Sequence, residues 1–317
     1  MDFFSHILLG ILLSILILNP LGYFYMIYGS ILAFLPDLDV FFEPLQRIKK
    51  IEILAHKGWS HSFFGALIIS LLFALPVSLL FSKPFLNLWT IGFIFYSLHV
   101  VLDFLAASKI PIFYPLTTKR FRFFIERAVN IFLSFISGGF LVFFLVTIFS
   151  GNIFIFALFY PYMIAFYSIY FSYRILSKLW IQWGLPEGST YIPGILPFVY
   201  YIYTNKEENN SMEYNIIKKI QFREEEKPLI ASNIKLDSEE WKLYQKAKEL
   251  SKNFLFFLKW DAIVPVVKIN IHETSIKLIL GEGLTNNRSY VIEIVIDNKT
   301  EKVLGMQDSF VSIKQVQ

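Results

Sequence analysis

The sequence of 317 residues contains no cysteine. Thiol nucleophiles, thiolate zinc sites and disulfides are excluded together. Charge is the second scarcity. Asp, Glu, Lys and Arg make up 17% of the residues, against ~25% in an ordinary globular chain. There is no Gly-rich phosphate loop, no Gly-x-Ser-x-Gly and no internal repeat. What abounds is apolar surface: 55% hydrophobic and 18% aromatic residues, with a mean hydropathy of +0.54. Such a chain is not disordered, collagenous or a disulfide scaffold, and it carries more apolar surface than a soluble core of its size can hide.

The charge is unevenly placed. Residues 1–176 hold eleven Lys/Arg and seven Asp/Glu, whereas residues 177–317 hold eighteen of each. This division predicts a transmembrane helical domain over residues 1–185 and a small α+β domain over residues 186–317, with the boundary near Leu185 to Pro193. The fold class expected is a mostly α membrane protein, a bundle of about six transmembrane helices followed by that α+β domain.

A hydrocarbon core of ~30 Å needs ~20 apolar residues in a helix. That ruler marks candidate spans at 4–19, 21–36, 62–82, 85–107, 131–149 and 152–176. The first two are short and meet at Asn19-Pro20, a pair that breaks a helix, so they read as a hairpin entering and leaving the membrane. The first lacks a basic leader and a small-residue cleavage site, which argues against a signal peptide. Arg47, Lys49, Lys50, Lys57, Lys109, Lys119, Arg120, Arg122 and Arg127 fall in the loops of one side, and Lys83 alone in those of the other. The positive-inside rule then puts both termini and the C-terminal domain in the cytoplasm. The basic, aromatic stretch 116–130 reads first as a topology signal and second as a holder of lipid phosphates. Nucleic acid is not expected as a partner, and the pattern leaves the oligomeric state open.

The apolar block contains four of the five histidines, His6, His56, His61 and His99, and the acids Asp37, Asp39 and Asp103. Ionisable groups in a span cost ~2.5–3.5 kcal/mol each even on lenient scales, so they persist when paired, hydrated or bound to metal. Because successive spans alternate direction, the start of the first, the end of the second, the start of the third and the end of the fourth share one face. All seven groups fall there. His99 and Asp103 are spaced i, i+4 on one helix stripe. Asp37 and Asp39 flank a Pro-led turn, and His56 and His61 lie in a Gly-containing loop. Imidazole and carboxylate donors suit zinc first, with manganese or iron as alternatives, and seven groups suffice for one or two ions. Asp39 is the candidate bridge or general base. The same residues also fit an ion pathway, or a structural metal in a scaffold that anchors the C-terminal domain.

The pattern resembles the inner-membrane metal-dependent hydrolases of bacteria and archaea, a group with a LexA-regulated member. The residues that carry the resemblance are His6; Gly29 with Pro36, Asp37 and Asp39; His56-Lys57-Gly58-Trp59-Ser60-His61-Ser62; His99 with Asp103; and the proline-containing stretch 110–115. It covers about residues 1–180 and is more distantly similar to zinc-dependent phospholipases C, although no later His-x-x-x-Glu completes that pattern. The resemblance implies a metal-dependent hydrolase, with a lipid or lipid-linked phosphoester as the expected substrate in the bilayer.

In the C-terminal part, alternation predicts strands at 197–204 and 212–224 around a Glu207–Asn210 turn. A helix capped by Asp237 or Ser238 is expected to run to about Leu258, followed by strands near 263–272, 275–281 and 288–297. His272 is expected as a surface or paired strand residue.

Overall fold

The computed structural model describes residues 3–42, 57–106, 108–127, 130–252, 254, 260–285 and 287–315. Six helices in it are long and apolar enough to cross a membrane. They contain α1 (Phe3–Leu18), α2 (Tyr23–Phe34), α3 (Phe63–Phe81), α4 (Phe85–Leu105), α5 (Ile131–Phe149) and α6 (Ile153–Gly184). The first two, short by sequence, each gain 3-10 turns and reach 19 residues, as Phe3–Leu21 and Tyr23–Phe41. The chain divides into two compact units, Met1–Ser172 and Tyr173–Gln317. The division falls inside α6, earlier than the boundary expected near Leu185, because the side chains from Tyr173 onward bond to the sheet region that follows.

In the first unit polarity is inverted relative to a soluble protein. Leu79, Phe135, Phe149 and Phe154 point outward, as lipid as solvent permits. One interior cluster joins α2, α3 and α4 through Leu32, Ala33, Ala66, Phe95 and Val100. A second joins α1, α4, α5 and α6 through Leu8, Leu12, Leu102, Leu133 and Met163. Lipid is as apolar as leucine, so close backbone approach and polar bonds must hold such helices together. A Cβ at Gly10 would lie 2.6 Å from Ala33 Cβ, which is how closely α1 meets α2. Ser14 and Ser30 hydroxyls pair across the same two helices at 2.7 Å. Ser5, Ser137 and Tyr167 link α1, α5 and α6 at 2.8 and 2.6 Å.

Helix ends are fixed by capping. Ser62 Oγ accepts the Gly65 N–H at 2.9 Å and starts α3. Asn130 Oδ1 accepts the Phe132 N–H at 3.0 Å and starts α5, while its Nδ2 donates to buried Glu126 at 2.7 Å. Glu126 also accepts the Tyr170 hydroxyl of α6. The basic stretch after α4 is therefore not a free loop. Phe123 and Ile125 amides bond the Phe104 and Leu105 carbonyls at 2.7 and 2.9 Å, and Ile110, Ile125 and Glu126 are buried.

The second unit contains two four-stranded antiparallel meanders around one helix. The first runs β1 (Ser189–Pro193), β2 (Val199–Glu208), β3 (Ser211–Ile220), β4 (Glu226–Lys235), and the second β5 (Ile263–Ile269), β6 (Glu273–Leu280), β7 (Arg288–Asp297), β8 (Val303–Ser312). Between them lies α7 (Glu239–Ser251), capped by Ser238 Oγ on the Trp241 N–H at 3.2 Å. The β2–β3 turn is tighter than expected. Asn209 and Asn210 alone form it, both at positive φ, a conformation asparagine tolerates in two-residue hairpins. His272 is exposed in the turn between β5 and β6 rather than on a strand, since β5 already ends at Ile269.

Gly65 has the strictest demand for its missing side chain, as a Cβ there would lie 2.4 Å from the Trp59 carbonyl oxygen. Gly65→Ala must displace the turn that carries His61. A loss of about 1–3 kcal/mol is expected, of the size that overpacking costs. It should appear as a lower melting temperature of the detergent-solubilised protein beside the wild type.

Candidate metal centre

α4 places His99 and Asp103 one turn apart in its last turns, both fully buried, with His99 Nε2 3.9 Å from Asp103 Oδ2. His61 ends the 3-10 turn Trp59–His61, which Ser62 closes before α3 begins. Its Nε2 lies 3.3 Å from Asp103 Oδ2 and 3.4 Å from His99 Nε2. Asp37, on the 3-10 segment Leu35–Phe42 that follows α2, brings Oδ1 to 3.5 Å from His99 Nε2 and 4.0 Å from His61 Nε2. One ligand atom from each of Asp37, His61, His99 and Asp103 lies within 4.8 Å of the others. Three of these residues are fully buried, and Asp37 is partly exposed at the edge.

The surroundings fix which nitrogen faces the cluster. His99 Nδ1 lies 3.0 Å from the Ala33 carbonyl oxygen. A carbonyl only accepts, so Nδ1 carries the proton and Nε2 presents its lone pair. His61 Nδ1 lies 3.2 Å from Asp39 Oδ2. The same oxygen accepts the Ser60 hydroxyl at 2.8 Å and the Lys57 N–H at 3.2 Å. Asp39 therefore sits behind His61, on the nitrogen that faces away from the other ligand atoms. A carboxylate so placed would orient the imidazole of a histidine that binds metal. Asp39, expected as a bridge or general base, lies outside the group of four.

The remaining candidates divide. His6 opens α1, stacks on the His99 ring at 3.9 Å between centroids, and puts Nε2 3.3 Å from Asp103 Oδ1. It lies beside the group of four rather than in it. Its Nδ1 is buried without a hydrogen-bond partner among the described residues. His56 lies outside the described residues.

Lys57 is the member that the sequence did not single out. Its Nζ lies 2.9 Å from Asp103 Oδ2, and its backbone takes the left-handed φ of 59°. Arg120 donates from Nη1 to its carbonyl at 3.4 Å. By sequence it counts as a loop charge and as one residue of the motif, with no role of its own. The one signal available was its position between His56 and His61 in the motif.

The donor set fits a divalent ion. Two imidazoles with assigned lone pairs and two carboxylates offer N and O atoms at one point, as zinc, manganese and iron accept. Asp103 meets the Lys57 ammonium at 2.9 Å, and carboxylates gathered in a buried site gain from a cation among them.

No curated protein and no solved structure matches the chain. The YdjM inner membrane protein family matches residues 1–181, more than half of the sequence and every residue of the cluster. With six apolar helices and this match, the protein is a multi-pass membrane protein that belongs to the YdjM inner membrane protein family.

Proposed function

We propose that the chain is a membrane-embedded, metal-dependent hydrolase that cleaves a lipid or lipid-linked phosphoester at the cytoplasmic membrane face, with both termini on that side. The observation that carries this reading is the meeting of Asp37, His61, His99 and Asp103 at one end of the helix bundle. Zinc is the ion favoured by the mixed imidazole and carboxylate donors, with manganese or iron next. Such an ion would supply Lewis-acid polarisation of a phosphoryl oxygen and would acidify water.

The chain's own residues do the rest. His61 and His99 keep their Nε2 atoms unprotonated because Asp39 and the Ala33 carbonyl hold the protons at Nδ1. Asp103 is gripped at Oδ1 by His6 and at Oδ2 by Lys57, so its orientation is set before any ligand arrives. Asp37 alone of the four is partly exposed and marks the side from which substrate approaches. In this reading the Lys57 ammonium, paired with Asp103 at rest, swings to an anionic headgroup, and the nine-to-one bias of loop charge supports the cytoplasmic placement.

Metal analysis of purified protein reconstituted with zinc should give roughly one bound ion per chain, and His99→Ala or Asp103→Ala should abolish it. Asp39→Asn should bind ~10–100-fold more weakly, the usual cost of losing an orienting partner. Metal below roughly one-tenth per chain in the wild type would overturn the site.

A panel of phospholipid, lipid-linked and nitrophenyl phosphoesters, assayed with zinc or manganese, tests the activity. Turnover should be present in the wild type and absent in His61→Ala, with the melting temperature of the variant little changed. Loss of the fold together with the activity would make the metal structural. Metal flux into liposomes without hydrolysis would assign the cluster to transport.

A further inference from the structure

The tail of α6 in the second unit has its polarity reversed. Its polar side chains bond to the first strand of the sheet and to the connections beside it. Arg174 is fully buried and donates from Nη2 to the Gly194 carbonyl at 2.9 Å and from Nη1 to that of Pro197 at 3.4 Å. Tyr173 and Ser177 hydroxyls donate to Gln221 Oε1 at 2.5 and 3.2 Å. Gln182 spans the start of β1, donating to the Ser189 carbonyl and accepting the Tyr191 N–H. The outward positions are Leu176, Leu179, Trp180 and Trp183, at 66%, 51%, 78% and 89% exposure. A helix that covers a sheet in water does the opposite, with its apolar stripe inward and charge outward.

Further observations bear on what lies outside this face. Phe222, in the turn after β3, is 89% exposed and closes an open groove of about 510 Å³ together with Trp180, Trp183 and Leu176. Of the six tryptophans, Trp180 and Trp183 are the two that are exposed. The stripe also continues a lipid-facing one: Tyr162 and Ile169 of the apolar span are exposed at 70% each, and 162, 169, 176 and 183 recur every seven residues. At ~1.5 Å per residue the 32 residues of α6 measure ~48 Å. The hydrocarbon core is ~30 Å and the whole bilayer ~40–45 Å; at the usual tilt of ~20° the helix rises ~45 Å, so its last turns reach one headgroup layer when its first turn starts in the other. Indole rings with one polar edge are the side chains enriched at that depth. The flanking charges are of both signs, Arg223 beside Glu224, so apolar area rather than net charge would set the attachment.

We infer that Leu176, Leu179, Trp180, Trp183 and Phe222 form a bilayer-interface face, by which the second unit rests in the headgroup layer of the membrane that α6 crosses. The occupant is lipid, and the inference is independent of the metal centre.

The absence of native cysteine makes the test clean. Single Cys variants at Trp183 and Phe222 are spin-labelled in the full chain in zwitterionic phosphatidylcholine vesicles, with Phe135→Cys as the hydrocarbon reference and Lys206→Cys as the aqueous one. Collision with oxygen should exceed collision with a water-soluble nickel chelate several-fold at 183 and 222, as at 135, and the order should reverse at 206. Water-like accessibility at 183 and 222 overturns the inference. So does shielding from both reagents, which would mean a protein partner or a second copy on this face. Trp180→Phe with Trp183→Phe should separately lower the quenching of tryptophan emission by brominated lipid. Unchanged quenching counts against the inference.

Discussion

Asp103 sets the terms for the membrane unit. A carboxylate buried at the end of an apolar helix is costly unless cations or donors surround it. Those around it come from separate parts of the chain: His6 from α1, Lys57 and His61 from the segment before α3, and His99 from its own helix. Meeting its needs fixes where the start of α1 and the end of α4 lie relative to the turn that starts α3. The apolar faces cannot do this alone, because exchanging lipid for leucine gains little. The Gly10–Ala33 approach and the serine and tyrosine pairs between α1, α2, α5 and α6 supply the remaining specificity, and each relies on small or polar residues rather than on bulk.

The 3-10 segment Leu35–Phe42 explains how two acids in one short motif acquire different places. At three residues per turn, neighbours two apart point ~120° away from each other. Asp37 therefore reaches Nε2 of His99 while Asp39 reaches Nδ1 of His61. An α-helix continued from α2 would turn them further apart and lose one contact or the other. Pro36 favours the change, since it removes one backbone donor at the point where α2 stops.

Much of this was legible in the residue order, and the failures have physical causes. Spans α3 to α5 stand out because length and apolarity are set by the bilayer. The gathering of His6, Asp37, His61, His99 and Asp103 could be inferred from alternating span direction alone. The inner and outer roles of Asp37 and Asp39 could not, because they depend on a backbone change that sequence spacing does not record. By sequence Lys57 counts as a topology charge, since a loop lysine and a buried counter-ion look alike until the fold is known. In the second unit β4 was hidden by Pro228 and its polar composition. β8 was hidden because it is an almost wholly exposed edge strand with Gly305 and Asp308 in it. Strand prediction leans on a buried face, and β8 has little of one.

The balanced charge of residues 177–317 concealed a different feature. Composition averages over a domain and so reads this part as soluble, and for the two sheets the averaging is fair: Ile276, Leu278, Ile292 and Ile294 are buried while Lys and Glu face out. α6 breaks the rule within a single element. Arg174 can be buried because two carbonyls of the β1–β2 connection accept its hydrogen bonds, and an arginine so placed leaves the other side of the helix to Trp180 and Trp183. A guanidinium turned inward and indoles turned outward make sense only if water is not what the outer face meets. The polarity of the surroundings then changes at the end of α6, near Gly184, about three helical turns beyond the point where the contacts divide the chain into two units.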